Sequence, residues 1–197
     1  MELNLMEPLD ILNQEFSYLY EGINDSNHDF HSFILSTIRD DKPESRTVVL
    51  RGLNKSIPYL AFHTDFRSPK LDDFKKNNAV SALFYDRTRK VQIRVNGTCH
   101  LEDDERTKAV WDSMHIHSKI CYMSPKAPSS IIEEQTLNKI EKSDSEIVQA
   151  DLNLGFERFC RFKIFIEKLD WLSLKHDGHR RLQFNFGQNT KIDWVAA

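Results

Sequence analysis

Short stretches of alternating apolar and polar residues dominate this chain, with a few stretches where apolar residues recur every three or four positions. The first helical pattern covers residues 8–20, where Leu9, Leu12, Phe16, Leu19 and Tyr20 share a face. Pro8 suits a first turn, and Gly22 and Asn24 close the segment, so a helix is predicted over 8–22. Strands are predicted over 32–39, 47–53 and 58–63, with a polar turn at 40–43 and a hairpin loop around 54–56. A short helix follows over 68–77, with Ser68 as its N-cap and Pro69 at the first helical position. Two more strands are predicted at 80–85 and 91–101. In the second, Val91, Ile93 and Val95 face one way, Gln92, Arg94 and Asn96 the other, and Gly97 marks a bulge.

Beyond that point residues 103–114 read as a helix with an acidic start, 124–130 as a loop and 131–146 as a polar helix. The last strands are predicted at 159–169, 171–174, 181–186 and 191–195, with a hairpin at Asp177-Gly178. Many short strands and few helices imply a mainly β chain with flanking helices, α+β, built as a small closed or half-closed barrel. The expected organisation is one domain over 1–197: an N-terminal helix 8–22, a barrel from 32–102 and 158–195, and a helical insert 103–146. No glycine-rich dinucleotide fingerprint or P-loop occurs.

Composition narrows the class. With 197 residues, 40% of them hydrophobic and 29% charged, the chain can bury a full core and should be globular. A net charge of −3 argues against a general nucleic-acid binder but not against a local basic pocket. Cys99, Cys121 and Cys160 are far apart and form no CxxC pair, as expected of free cysteines in a reducing compartment. The first twelve residues lack a signal-peptide pattern, and no apolar run approaches the ~20 residues of a membrane span. A soluble cytoplasmic protein is the expectation.

Candidate chemistry gathers in three places. The strand around residues 46–53 carries Arg46 and Arg51 at either end of Thr47-Val48-Val49-Leu50, an arrangement suited to an anionic ligand lying along the backbone. Residues 63–70 end a strand and open a helix, and Ser68, Arg67, Lys70 and the helix-start N–H groups together resemble a phosphate cradle. Gln92, on the polar face of its strand, can donate to and accept from the edge of a planar heterocycle. His115, His117, His176 and His179 lack a fixed further ligand, so no metal site is predicted. Tyr18, Tyr20 and the phenylalanine-rich segment 156–165 read as core and dimer contacts.

The order Arg46-Thr-Val-Val-Leu-Arg51, Phe62-His63-Thr64, Arg67-Ser68-x-Lys70, Val80-Ser-Ala-Leu-Phe84, Val91-Gln92 and Gly97 resembles the FMN-binding split barrels of the pyridoxamine 5′-phosphate oxidase type. The similarity runs over about 33–122 and returns more weakly over 169–186. It implies that Arg46, Lys70, Ser68 and Arg67 hold the FMN phosphate, and that His63 and Thr64 sit by the ribityl chain and phosphate. It also implies that Val48, Val49 and Leu50 pass the flavin ring through their backbone groups, and that Gln92 bonds its pyrimidine edge. Arg51 matches a family lysine near flavin and substrate; Ser118 and Arg180 are the other implied substrate contacts. A homodimer with FMN at the subunit interface is implied too, as is hydride transfer from a small molecule with no protein nucleophile. The chain departs from the vitamin B6 oxidase proper where Val110 and Met114 replace the substrate-phosphate grip. It departs again where Ala127-Pro128 replaces a flavin-contacting pair, and where Phe184 falls near an expected arginine. A divergent relative is therefore expected. The alternative is a non-catalytic split barrel that binds flavin or haem for storage or sensing; a deazaflavin in place of FMN is a further variant.

Overall fold

The computed structural model describes residues 6–132 and 137–197. Helix α1 (Pro8–Asn24) leads into β1 (Ser32–Arg39), β2 (Lys42–Asn54), β3 (Tyr59–Asp65), α2 (Lys70–Lys76), β4 (Ala79–Asp86) and β5 (Val91–Leu101). Three helices follow, α3 (Asp104–Ser113), α4 (Ile116–Ile120) and α5 (Gln149–Arg158), before β6 (Phe159–Lys175), β7 (Gly178–Asn185) and β8 (Lys191–Val195). All pairings are antiparallel, in the order β3-β2-β1-β4-β5-β6-β7-β8, and β6 also pairs with β3. Six strands thus close a ring, with β7 and β8 as a tail on β6. The 17-residue β6 makes this possible, because its first part lies on β3 and its last part on β7. It runs unbroken through the two segments expected at 159–169 and 171–174.

Alternation sends Phe33, Leu35, Leu50, Leu60, Phe62, Phe84, Ile93 and Ile164 into the ring, where all are buried. Helix α1 covers one side with Ile11, Leu12, Phe16 and Leu19. At Gly97 the β5–β6 register shifts, and a Cβ there would lie 1.9 Å from the Phe165 carbonyl oxygen, so the bulge requires glycine. Asp40 and Asp41, with φ of 47° and 61°, form a two-residue turn between β1 and β2. That tight turn releases Lys42 and Pro43 into the ladder opposite Arg39 and Ile38, so β2 begins earlier than predicted.

The polar helix expected over 131–146 is not found in the described part of that stretch; residues 133–136 lie outside the described residues. Asp144–Glu146 makes one 3₁₀ turn, held by reciprocal bonds between Ser143 and Glu146. The helix instead starts later, as α5, where Gly155 comes close against Trp111 and Met123. No described helix is long and apolar enough to cross a membrane.

Candidate functional site

The β2–β3 ladder runs from Asn54↔Tyr59 to Leu50↔Phe62 and stops there. Past a bulge between Leu50 and Gly52, β2 continues against β1 only and β3 against β6 only. The facing edges, residues 47–49 and 63–65, therefore present backbone groups with no ladder partner across the gap. A cavity of about 270 Å³ opens in this split, lined by Thr47, Val48, Val49, Arg51, His63, Thr64, Lys70 and Tyr122.

Lys70 is the centre of its electrostatics. Its Nζ donates to Thr64 Oγ1 at 2.6 Å and to Ser68 Oγ at 2.7 Å, and among the described residues it forms no ion pair with a carboxylate. Burial, and next the Arg46 guanidinium, push its ammonium below the usual lysine range. An ammonium in this position, held by neutral hydroxyls and faced by a second cation, is the complement of an anion. Ser68 is not the N-cap that its sequence position predicts. Its hydroxyl turns to Lys70, Pro69 occupies the cap position, and α2 starts at Lys70.

Arg46 is held from behind. It donates to Thr37 Oγ1 at 2.7 Å and approaches Asp73 Oδ2 at 3.6 Å, while Arg39 grips the same carboxylate at 2.8 and 3.0 Å. Burial alone would raise the Asp73 carboxyl, but bonds from Arg39 and Thr37 hold it below its ordinary value. Arg67 corrects the sequence reading: it is occupied elsewhere. It forks onto Asp65 (3.0 and 2.6 Å) and reaches the Ser124 and Pro125 carbonyls, so it ties the insert to the end of β3 rather than lining the cavity. The reason is local, because a carboxylate two residues away offers a bidentate partner.

His63 faces the split with its ring edge-on to Phe159, centroids 4.9 Å apart, and its buried Nε2 has no partner. Burial, then the charges of Arg161 and Arg51, pull its pKa down to about 3. The folded protein thus refuses a proton that the unfolded chain takes up near pH 6.5. Stability of the flavin-free protein should fall as pH drops from 6.5 towards 5, and His63→Asn should flatten that slope by one proton. Urea midpoints for both proteins at several pH values check this; parallel slopes would mean that His63 titrates normally.

Val48 and Leu50 point into the core and reach the split only through their backbone, whereas Thr47, Val49 and Arg51 face outward. Gln92 lies half-buried on β5, opposite Tyr85 and Leu172, and does not line this cavity. Ser118 sits on α4 and Arg180 on β7 lines a different cavity, so one chain does not bring either to Lys70. Thr47 and Tyr122 were not singled out from sequence. Alternation from Val49 and Arg51 points to Thr47; nothing local marks Tyr122, which arrives from the insert. Among the described residues no three His, Cys, Asp or Glu side chains gather to hold a metal.

Residues 14–103 match the family model of the pyridoxamine 5′-phosphate oxidase FMN-binding domain. That match spans a little under half of the chain, which over those residues is similar to these FMN-binding domains. The chain is 28% identical over 170 residues to pyridoxine/pyridoxamine 5′-phosphate oxidase 2 of Arabidopsis thaliana, covering 80% of this chain and 81% of that one. To the pyridoxine/pyridoxamine 5′-phosphate oxidase of Psychrobacter arcticus it is 25% identical over 142 residues, covering 69% of this chain and 63% of that one. Two solved structures share the fold: a pyridoxamine 5′-phosphate oxidase-related, FMN-binding protein of Nostoc punctiforme, and PhzG of Burkholderia lata. The first has a TM-score of 0.72 at 18% identity over 98% of this chain and 100% of that one. The second has 0.71 at 15% over 98% and 94%.

The residues present fit FMN, the cofactor of this domain. A cation pair with two hydroxyls answers a phosphate, the open β2 edge answers the polar rim of a flavin ring, and His63 Nε2 is a buried polar atom without a partner.

Proposed function

We propose that this protein is an FMN-dependent oxidoreductase acting on a small molecule, and that it works as a homodimer. The observation that carries the reading is Lys70, an ammonium without a carboxylate partner among the described residues, bracketed by Thr64 and Ser68 in the split between two strands. Lys70, Ser68 and Thr64 hold the phosphate in this reading, with the Arg46 charge behind them. The edge of β2 at Val48 and Val49 hydrogen-bonds the ring, and His63 meets the ribityl chain. The chemistry that FMN would supply when held there is uptake of a hydride equivalent from the substrate and reoxidation by an acceptor such as dioxygen. Arg51, exposed at the rim, stands where an anionic substrate group or an electron-rich ring edge would meet it. Tyr122 closes the cavity on the insert side.

The dimer is supported by the outer face of the sheet. Ile34, Ile38 and Tyr85 are exposed there at 43%, 38% and 44%, and Gln92 stands beside Tyr85 in the ladder. A second copy seated on this face would cover those side chains and could bring a Gln92 amide to the ring that one chain alone does not supply. Gln92→Leu should then shift the flavin midpoint potential while leaving the unfolding midpoint near that of the wild type. An unshifted potential would take Gln92 away from the ring.

Anaerobic titration of the yellow protein with pyridoxamine phosphate, pyridoxine phosphate and NAD(P)H tests the activity. Bleaching by one of them at a rate consistent with turnover supports an enzyme. Flavin that no donor reduces would instead indicate a carrier.

A further inference from the structure

Behind the split lies a buried ion cluster that neither the fold nor the phosphate site has yet explained. On the face of β6 turned away from the core, Arg161 stands opposite His63 and Lys163 opposite Ala61. Glu102, just past the end of β5, pairs with both Arg161 and Lys163. The side chains of Arg161 and Glu102 are 5% and 2% exposed. Lys163, at 24%, sits nearer to solvent, with its Nζ 4.8 Å from the Tyr59 ring centroid. Two cations on one carboxylate leave the cluster one positive charge in excess among the described residues.

Small residues make room for Arg161. Its guanidinium reaches from β6 across β3 to β2, where Gly52 pairs with Ala61. A Cβ on Gly52 would lie 2.7 Å from Arg161 Nη2 and 3.4 Å from the Ala61 Cβ, so a larger side chain there would push the guanidinium aside. The same Gly52 closes the bulge of β2. Arg51 is the extra residue of that bulge, and it stands exposed at the cavity rim. Arg161 is thus wedged against the bulge that presents Arg51 and lies beside His63 in the ladder, and both of those residues line the cavity. After burial, the charges of Arg161 and Arg51 are what keep the His63 imidazole unprotonated.

We propose that Arg161 is a positioning residue of the flavin site: wedged under Gly52, it fixes the bulge that carries Arg51 and keeps a buried positive charge behind His63. A merely structural ion pair needs one cation for its carboxylate, and Lys163 already supplies it to Glu102. The second cation is buried, and burying a charge is costly unless something answers it. Charge that solvent does not screen favours the more negative form of a nearby flavin, which is reduced FMN. The inference rests on the FMN reading and deepens it: Arg161 touches neither cofactor nor substrate and acts through Arg51 and His63.

Redox titration of the FMN-loaded protein and NMR titration of the His63 imidazole in the stripped protein test it, each on the wild type, Arg161→Met, Arg161→Lys and Lys163→Met. Arg161→Met should cut the preference for reduced over oxidised FMN about tenfold, which is ~30 mV for a two-electron couple. It should also raise the proton affinity of His63 by about threefold or more. Arg161→Lys keeps the charge and should recover most of the potential. Lys163→Met removes the cation nearer to solvent and should move either readout by no more than about twofold. Should Arg161→Met fail to fold, Gly52→Ala carries the test, since it displaces the guanidinium without removing it and should shift both readouts. A wild type that takes up no FMN would overturn the FMN reading and this proposal with it. FMN bound at an unmoved potential, an unmoved His63, or equal shifts from Arg161→Met and Lys163→Met would overturn the proposal alone.

Discussion

Lys70→Ala is expected to weaken FMN binding by about ten- to a hundredfold, the ~1.5–3 kcal/mol typical of a hydrogen bond to a charged group. The same change should stabilise the flavin-free protein, because the wild type keeps an ammonium beside Arg46 with, among the described residues, the hydroxyls of Thr64 and Ser68 to receive it. Opposite signs for binding and for folding are the signature of a residue placed for a ligand rather than for the fold. Fluorescence titration with FMN and thermal unfolding of the stripped protein measure the two effects separately. Unchanged FMN affinity would remove Lys70 from the phosphate site, and a less stable stripped protein would show that its hydroxyl partners already satisfy it.

Phe62→Ala should be the most damaging single change to the fold, costing about 3–5 kcal/mol. The ring is fully buried where the ladder ends, stacked on Phe162 at 5.8 Å and edge-on to Phe33 at 6.2 Å, with Phe74 of α2 at 6.4 Å. It therefore joins β3, β6, β1 and the helix that carries Lys70. Because His63 and Thr64 follow it directly, flavin affinity should fall along with stability. Denaturant unfolding at unchanged m-value checks the cost; a loss below about 1 kcal/mol would mean that the cluster repacks around the gap.

Much of the barrel was legible because period-two alternation writes the inward face directly into the sequence. The strand at residues 32–39 and the bulge at Gly97 needed nothing more. Arg46 was read at the end of a strand and Lys70 within a short helix, whereas Arg46 lies inside β2 and Lys70 opens α2. What sequence could not reveal were contacts between distant residues. Asp73 binds Arg39 from 34 positions away, and Glu15 meets Trp171 across 156. Arg67 was grouped with the phosphate cradle because the sequence alone does not show that Asp65, two residues away, takes its guanidinium. Ser68 looked like a cap because a hydroxyl before a helix usually is one, and here Lys70 outcompetes the backbone for it. The insert was the least legible stretch, since polar residues over 131–146 carry helix propensity without an apolar face. Helix α5 takes its place from packing of Gly155 against Trp111, a contact set by tertiary structure.

Side-by-side titration of the stripped protein with FMN and with riboflavin tests the central claim most directly, since the two differ by the phosphate alone. Tight uptake of FMN, at least tenfold weaker uptake of riboflavin, and convergence of the two affinities in Lys70→Ala is the predicted result. Equal affinity for the two flavins in the wild type, or no uptake of either, would contradict it.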